Sequence, residues 1–369
     1  MGVFDHPDFD QHDSLQFVQD AASGLRAIIA IHSSALGPAA GGCRRWHYAD
    51  DDDAVTDALR LSRGMSYKNA VAELPFGGGK AVILASESAP ASPALFHAFG
   101  RAVAALGGRY ITAEDVGVSV DDMRQVREVT EFVAGLPQSG HNAGGDPSPW
   151  TALGVFLGIE AAVRARLDAD SVDGLTVAVQ GVGHVGFHLC RLLHEAGAKL
   201  IVADVDRANL ERLTRAMPAT VTAPAAILFA EAEVLAPCAL GNVLTSTTIP
   251  KLEASIVAGA ANNQLGTESD GARLADRGIL YAPDYVINAE GIVSVAREYL
   301  GRSSEEEVRA EVERIPTRLA TLFEEADSTG KPTNVLADEL ARRRVFEKRK
   351  SDEQEITTAH SASVGTPRR

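Results

Sequence analysis

Apolar residues in this chain form short runs separated by stretches of helical periodicity, and this alternation predicts an α/β fold. Residues 25–34, LRAIIAIHSS, are rich in β-branched residues and predict a strand. Residues 80–85, KAVILA, form another short buried run. Between them lies a segment of helical spacing that follows four consecutive aspartates at 50–53. Carboxylates at that position are typical of a helix N-terminus, so the first third predicts mixed strands and helices.

A polar stretch rich in turn-forming residues follows this first part. Residues 137–150, PQSGHNAGGDPSPW, concentrate Gly, Pro, Ser and Asn. Ser148 followed by Pro149 is typical of a helix start, and the apolar spacing beyond it predicts a helix over about 149–166. We therefore place a domain boundary between residues 147 and 148.

The second part alternates apolar runs with helical segments. The runs that predict strands are 176–180, 198–206, 227–237, 254–261 and 278–288. Strands that alternate with helices favour a parallel, doubly wound sheet. We expect this domain to cover residues 148–345 and to end in charged helices, with a disordered polar tail at 346–369.

Composition narrows the classes of function. Fifty acidic against 35 basic residues give a net charge of −15, which argues against nucleic acid or an anionic membrane as the main partner. Three scattered cysteines favour neither a disulfide framework nor a metal site. No apolar run approaches the roughly 18–20 residues of a membrane span, and the N-terminus lacks the pattern of a secretion signal. We therefore expect a cytoplasmic protein that binds no metal.

A glycine motif between the strands at 176–180 and 198–206 predicts a dinucleotide site. The residues expected to contact the cofactor there are Gly181, Val182, Gly183, His184, Val185 and Gly186. This GxGxxG follows a strand and opens a helix, the context that such a fingerprint requires. Asp204 ends the next strand, where a carboxylate can accept hydrogen bonds from ribose hydroxyls and repel a 2′-phosphate. The motif therefore predicts NAD in preference to NADP.

Two lysines flank a glycine-rich turn in the first domain. Lys68 ends a helical stretch, and Lys80 follows three glycines and begins a buried run. Glycines at such a point let a ligand or another backbone segment come close. Asp115, just after the strand-like YITAE, is a candidate acid–base partner. From these residues alone, a functional group and ordinary surface lysines are equal alternatives.

Eight segments together resemble the glutamate/leucine/phenylalanine/valine dehydrogenase superfamily, and most closely its leucine dehydrogenases. These segments are GGCR, GMSYKNAVAELPFGGGKAVI, RYITAEDVG, DPSPWTALGV, VAVQGVGHVG, LAPCALG, VAGAANNQL and YAPDYVINAEG. They occur in the family order from about residue 25 to about residue 340. The resemblance implies NAD-dependent oxidative deamination of an L-amino acid to a 2-oxo acid and ammonia.

The same resemblance implies the domain roles. Residues 1–147 would form an α/β domain for substrate binding and oligomerisation, and residues 148–345 a Rossmann domain for NAD, with a cleft separating the two. Family members assemble as dimers or octamers, so a homo-oligomer is expected.

Residue roles also follow from the resemblance. Lys68 would bind the substrate α-carboxylate, Lys80 would activate the water that attacks the imine, and Asp115 would exchange a proton with the amino group. Gly41 and Gly42 would lie against the substrate.

In the second domain, the resemblance implies that Asn262 and Asn288 orient the nicotinamide amide and the substrate. Thr151 would contact the nicotinamide end. One departure is Glu290, where the family usually has glycine. A side chain there is expected to strain the backbone or to add negative charge near the pocket.

The residues of the expected side-chain pocket limit which amino acids can be the substrate. The resemblance places Ala40, Ala113, Ile292 and Val295 along an apolar pocket. Glutamate dehydrogenases carry a lysine where Ala40 stands, so an acidic side chain would find no cation. Leucine or another branched-chain amino acid is favoured, and phenylalanine remains the alternative because an extra methylene changes affinity by only about 1–3 kcal/mol. A non-catalytic NAD-binding regulator is the hypothesis from another class.

Overall fold

The chain forms two compact units, each with its own sheet. The computed structural model describes residues 2–86, 90–136, 148–239, 241–301 and 304–364, without the side chains of 294, 295, 305 and 349–364. Unit 1 comprises Met1–Pro137 and Leu340–Arg369, and unit 2 comprises Gln138–Glu339.

Unit 1 is built on a mixed sheet. Its strands are β1 (Ser14–Asp20), β2 (Leu25–Ser33), β3 (Ala39–Ala40), β4 (Cys43–Trp46), β5 (Gly77–Leu84) and β6 (Tyr110–Ile111). Their order is β1-β2-β5-β3-β6, and β4 also pairs with β5. Strand β5 is antiparallel to β2 on one side and parallel to β3 and then β4 on the other. This arrangement makes β5 the central strand of the unit.

Helices cover both faces of this sheet. The helices of unit 1 are α1 (Asp51–Val71), α2 (Pro93–Ala105), α3 (Val120–Arg127) and the later part of α12 (Thr333–Val364). The backbone N–H of Asp53 donates to the Asp50 side chain at 2.9 Å, so the aspartate run begins α1 as predicted. One apolar core lies between α1 and the sheet, and a second contains side chains from α2 and α3.

Unit 2 is built on a parallel sheet. Its strands are β7 (Thr176–Gln180), β8 (Lys199–Ala203), β9 (Thr220–Val221), β10 (Val234–Pro237), β11 (Ile256–Val257) and β12 (Leu280–Tyr281). All neighbouring pairs are parallel. The spatial order β9-β8-β7-β10-β11-β12 is the 3-2-1-4-5-6 order of a Rossmann sheet. The predicted doubly wound fold is confirmed.

The helices of unit 2 follow the segments between the predicted strands, except for the one at Asp284–Ile287, which lies within the run 278–288 that was predicted as a strand. They are α4 (Ser148–Leu167), α5 (His184–Glu195), α6 (Arg207–Ala216), α7 (Ser269–Asp276), α8 (Asp284–Ile287), α9 (Glu290–Tyr299), α10 (Glu305–Val312), α11 (Ile315–Thr329) and the start of α12. Helix α4 is the one predicted over 149–166. Its glycines permit close packing: a Cβ at Gly158 would lie 2.5 Å from the Ile287 side chain.

The C-terminal region differs from the prediction. Residues 346–364 were expected in a disordered tail, but the backbone of α12 is helical to Val364. The segment 333–364 contains neither glycine nor proline, so nothing in it breaks a helix. The compact units also divide after 137 and after 339. The boundary at 147/148 stays a prediction, since residues 137–147 lie outside the described residues.

Two negative findings concern the described residues. None of their helices is long and apolar enough to cross a membrane. They also contain no group of three or more His, Cys, Asp and Glu residues that could hold a metal ion.

Candidate active site

Lys80 and Asp115 are in contact in unit 1. Lys80 lies in the middle of β5 and is 6 % exposed, because the strand is covered on both faces. Its Nζ atom is 2.6 Å from Oδ2 of Asp115, which follows β6. The predicted strand at 80–85 therefore begins three residues earlier, at Gly77, and Lys80 belongs to the strand interior.

A second cation, Arg44, reaches the same carboxylate from β4. Its Nε atom donates to Oδ2 of Asp115 at 3.3 Å, and its NH1 atom donates to Oδ2 of Asp57 at 3.1 Å. The hydroxyl of Tyr48 donates to the same Asp57 oxygen at 2.7 Å. Sequence reasoning missed Arg44, although it ends the quoted GGCR segment. The GGCR segment was therefore a signal in the sequence that could have identified Arg44.

The two cations determine the charge of Asp115. Burial alone would raise the pKa of this carboxyl, but the charge and hydrogen bond of Lys80 and the charge of Arg44 outweigh burial, so the pKa lies below 3.8. Asp115 is therefore ionised at neutral pH, and it can accept a proton there.

Gly41 and Gly42 allow the backbone between β3 and β4 to pack closely against Gly79 of β5 and against Asp115. A Cβ at Gly41 would be 1.9 Å from the carbonyl oxygen of Gly79, and one at Gly42 would be 2.9 Å from Cβ of Asp115. The buried Tyr110 hydroxyl, also missed from the sequence, donates to the Gly41 carbonyl at 2.7 Å. This close packing requires glycine at both positions, and their contact with substrate stays a prediction.

The remaining predicted residues of unit 1 surround the same strands. Ala40 is 8 % exposed and pairs with Gly78 of β5 and Ile111 of β6. The carbonyl of Ala113 accepts from the Cys43 N–H at 2.8 Å. Lys68 lies in the last turn of α1 and is half-buried.

In unit 2, the three motif glycines adopt the geometry that a dinucleotide turn requires. Gly181 has φ +90°, a left-handed conformation that favours glycine. A Cβ at Gly186 would lie 2.0 Å from the Gly181 carbonyl oxygen, so helix and strand meet there without a side chain. Around Gly183, which precedes α5, a Cβ would meet no atom within 4 Å. The open face at Gly183 and the N-terminus of α5, which starts with His184 and Val185, leave room for a pyrophosphate.

Asp204 and Arg212 hold the peptide groups of this turn. The Val182 N–H donates to Oδ2 of Asp204 at 2.8 Å. The NH2 atom of Arg212, on α6, donates to the carbonyls of Val182 and Gly183 at 3.3 and 3.2 Å. The Arg212 guanidinium also lies 4.5 Å from the centre of the Phe187 ring. No sequence motif marks Arg212, because its contact depends on how α6 packs.

Asn262 and Asn288 come together beyond the carboxyl ends of β11 and β12. The Nδ2 atom of Asn288 donates to Oδ1 of Asn262 at 2.9 Å and to the Ala260 carbonyl at 3.0 Å. Asn288 is 3 % exposed, and its Oδ1 atom has no hydrogen-bond partner among the described residues. A buried acceptor of this kind fits the amide N–H of a nicotinamide.

Thr151 lies in the first turn of α4, beside α9. A Cβ at Gly291 would be 3.6 Å from the Thr151 hydroxyl oxygen. Ile292 also lies on α9, whereas the side chain of Val295 lies outside the described residues.

Glu290 corrects one expectation. It begins α9 in a right-handed helical conformation and is absent from the described residues with positive φ, so the expected backbone strain does not occur. Its side chain is fully buried and faces α4, where a Cβ at Gly154 would lie 3.1 Å from Cγ of Glu290. A carboxylate in the first turn also suits the helix dipole.

The comparisons with known proteins cover nearly the whole chain. The family described as "Glu/Leu/Phe/Val dehydrogenase, dimerisation domain" matches residues 11–132. The family "Glutamate/Leucine/Phenylalanine/Valine dehydrogenase" matches residues 146–208 and 202–352. The chain belongs to this dehydrogenase family. The predicted resemblance is confirmed.

Individual relatives act on different apolar amino acids. The leucine dehydrogenase of Thermoactinomyces intermedius is 46% identical over 351 residues, which is 95% of each chain. The phenylalanine dehydrogenase of Bacillus thermotolerans is 41% identical over 340 residues, 91% of this chain and 88% of the relative. The crystal structure of L-tryptophan dehydrogenase from Nostoc punctiforme has a TM-score of 0.80 at 45% identity and covers 92% of this chain and 97% of that one.

Membership settles the reaction class and the cofactor. The chain is an NAD-dependent amino-acid dehydrogenase that acts on a CH–NH2 group. The glycine turn, the open face at Gly183 and the buried acceptor of Asn288 fit that cofactor. The relatives differ in their named amino acid, so membership leaves the side-chain preference open.

Proposed function

We propose that this dehydrogenase deaminates L-leucine and other branched-chain amino acids. The observation that carries the proposal is Ala40, a nearly buried alanine in β3 that pairs with Gly78, two residues from Lys80. A methyl group there offers an apolar surface and no cation for an acidic side chain. Ala113, on the neighbouring segment, adds a second small apolar side chain.

The proposed roles of unit 1 begin with the ionised pair. Lys68 binds the α-carboxylate, and Asp115 accepts the proton that the substrate ammonium must lose before hydride can leave the α-carbon. NAD supplies the hydride acceptor. Lys80, once it has lost its own proton to solvent, takes a proton from the water that attacks the resulting imine carbon. Asp115 then gives its proton to the amino nitrogen of the adduct and takes up the hydroxyl proton as ammonia leaves and the 2-oxo acid forms.

Arg44 completes this arrangement. It donates to Oδ2 of Asp115, the oxygen that Lys80 also contacts, so the carboxylate keeps one orientation while Lys80 changes its protonation state. Its second partner, Asp57, fixes the guanidinium in turn. Arg44 is therefore a positioning residue for the proton acceptor.

The proposed cofactor contacts lie in unit 2. Gly183 and the first residues of α5 receive the pyrophosphate, and Asp204 accepts from the adenosine ribose. Asp204 already accepts from Val182 and Asp206 at 2.8 Å each, which fixes its orientation and leaves lone pairs for a ribose hydroxyl. Asn288 accepts from the nicotinamide amide, Asn262 holds Asn288, and Thr151 lies close by.

Phenylalanine and tryptophan are the second candidates, because the small Ala40 leaves room for a ring. We also propose that unit 1 assembles the enzyme as a homo-oligomer, a dimer or an octamer, since the family description of residues 11–132 is a dimerisation domain. Cytoplasmic location stays a prediction.

The deciding experiment measures NADH formation at alkaline pH with each L-amino acid in turn. We expect kcat/KM to be highest for leucine, lower for valine and isoleucine, and lower again for phenylalanine and tryptophan. Glutamate should give no turnover. A higher kcat/KM for phenylalanine or tryptophan would refute the branched-chain preference. No turnover with any amino acid would support the regulator hypothesis.

A further inference from the structure

A polar cluster that shares no residue with the Lys80–Asp115 pair lies beneath the C-terminal half of α1. We define this cluster as Asp10, His32, Ser66 and Tyr67. His32 is 5 % and Ser66 1 % exposed. Polar groups so deep in a unit are retained only where their hydrogen bonds are made, so their arrangement is informative.

His32 is the centre of the cluster. Its Nδ1 atom lies 2.7 Å from the Ser66 hydroxyl oxygen, and its Nε2 atom lies 3.7 Å from Oδ2 of Asp10. The Tyr67 hydroxyl donates to the same Asp10 oxygen at 3.4 Å, and the Tyr67 ring stands edge-on to His32 at 6.0 Å. The hydrogen bond from His32 holds the pKa of Asp10 well below its usual range against the effect of burial, so this carboxylate is charged.

The strand that carries His32 is irregular at this residue. Ile31 pairs with Gly79 and Ser33 pairs with Gly78, so two steps along β2 match one step along β5. His32 is the extra residue of a β-bulge. Bulges bend a strand locally and redirect a side chain, and here the redirected side chain is the imidazole that contacts α1.

The cluster lies close in sequence to both lysines of the proposed active site. Ser66 precedes Lys68 by two residues on α1, and Gly78 precedes Lys80 by two residues on β5. A Cβ at Gly78 would lie 2.0 Å from the backbone nitrogen of Ser66. Helix and strand backbones therefore touch at Ser66, and a shift of α1 at this point would move Lys68 relative to Lys80.

The later part of α12 secures the end of the same helix. The Nε atom of Arg342 donates to the Tyr67 hydroxyl at 2.7 Å. NH1 of Arg344 donates to the carbonyls of Ala70 and Val71 at 2.7 and 3.2 Å, which are among those that a helix end leaves without partners. The last turn of α1 is thus held from the side of β2 and from its C-terminal end.

We infer that His32, with Asp10 and Ser66, is a positioning residue that fixes the last turns of α1 against β5 and thereby places Lys68 for the substrate carboxylate. This inference rests on the proposed role of Lys68. The cluster contributes no catalytic group. It affects the affinity for the substrate through the position of α1.

Two matched serine variants test the inference. Ser66→Ala removes the hydroxyl bonded to His32 and should raise KM for L-leucine about tenfold, with KM for NAD unchanged within about twofold. Ser62→Ala is the control, because Ser62 is also fully buried on α1, one turn earlier, and bonds His12 at 3.1 Å. The control should change neither KM. Equal effects of the two variants on KM for leucine would overturn the inference.

A double-mutant cycle separates this inference from the proposed function. If Ser66 acts through Lys68, Ser66→Ala should have no further effect on KM for leucine in a Lys68→Ala background. Independent, additive effects would overturn the inference alone. If Lys68→Ala itself leaves KM for leucine unchanged, the proposed role of Lys68 fails and the inference fails with it.

A milder variant covers the case in which Ser66→Ala does not fold. Asp10 has a side chain that is 37% exposed, so Asp10→Asn keeps the shape and removes only the charge that faces His32. It should raise KM for leucine in the same direction by a smaller factor, with KM for NAD unchanged. An unchanged KM for leucine in a folded Asp10→Asn enzyme would overturn the inference.

Discussion

Lys80, in β5, contacts the Asp115 carboxylate at 2.6 Å, and its replacement tests the mechanism most directly. Lys80→Ala should lower kcat by about a hundredfold or more, because the attacking water loses its base. The Kd of NADH, measured by fluorescence titration, should stay nearly unchanged, since the cofactor contacts proposed above all belong to unit 2. Lys199→Ala replaces an exposed lysine and serves as the control. Near-normal turnover of Lys80→Ala would make Lys80 a structural residue.

Arg212 donates to carbonyls of the glycine turn, whereas Asp204 accepts from one of its N–H groups. Arg212→Ala removes the donor to two carbonyls of the turn and the cation above Phe187, so the Kd of NADH should rise about tenfold. The matched control is Arg207→Ala on the same helix, whose side chain is 91% exposed. In both variants the KM for leucine should be the same as in the wild type. Equal Kd values for the two variants would show that the turn needs no support from α6.

These residues show what can be read from the sequence and what cannot. Gly181 and Gly186 were predicted with their roles, because a turn between a strand and a helix is a local feature of the chain. From the residues alone, Asp115 was a candidate acid–base partner of the two lysines, and ordinary surface lysines were an equal alternative. The contact of Arg44 with Asp115 depends on the register of β4 against β5, and that of Arg212 on the packing of α6. Register and packing are not encoded in any short segment.

At the scale of elements, the two-residue strand β3 carries Ala40, and the small size of this side chain determines the size of the proposed pocket. Ala40→Leu adds three carbon atoms next to Gly41, in a strand that is paired on both sides and so has little freedom to move away. Activity on phenylalanine should therefore fall more than activity on valine, by about tenfold in the ratio of kcat/KM. The ratio is its own control, because a general loss of folding would lower both values in parallel. If kcat/KM fell equally for phenylalanine and for valine, Ala40 would not line the side-chain pocket.

Helices were predicted more reliably than strands, and the reason is physical. Helices α1 and α4 carry their start signals within the sequence, at Asp50 and at Ser148–Pro149. Strand β3 has only two residues and exists because β5 and β6 flank it. For α12, polarity was taken as evidence of disorder, whereas the absence of glycine and proline was the better guide.

At the scale of the molecule, His12 makes stability depend on pH. Burial and the neighbouring His32 lower the pKa of His12 from 6.5 to about 4. The unfolded chain therefore binds this proton more readily than the folded chain, so the free energy of unfolding should fall as pH drops from 6.5 to 4. The loss from this group should be about 3 kcal/mol at most.

The pH effect can be measured by urea denaturation at a series of pH values. His12→Gln removes the titrating group and should flatten the curve between pH 6.5 and 4, whereas His47→Gln replaces an exposed histidine and should not. The same slope in the wild type and in His12→Gln would assign the pH dependence to other groups.

The later part of α12 belongs to unit 1, and this has a consequence for how the chain is made. About two hundred residues of unit 2 separate the two segments of unit 1. During synthesis the ribosome releases residues 1–137 long before Arg342 and Arg344 exist. Until then the carbonyls of Ala70 and Val71 lack the donor that Arg344 supplies. The first unit to emerge is thus the last to be finished, and a nascent chain that stalls within unit 2 would leave the Lys68-bearing helix without its C-terminal support.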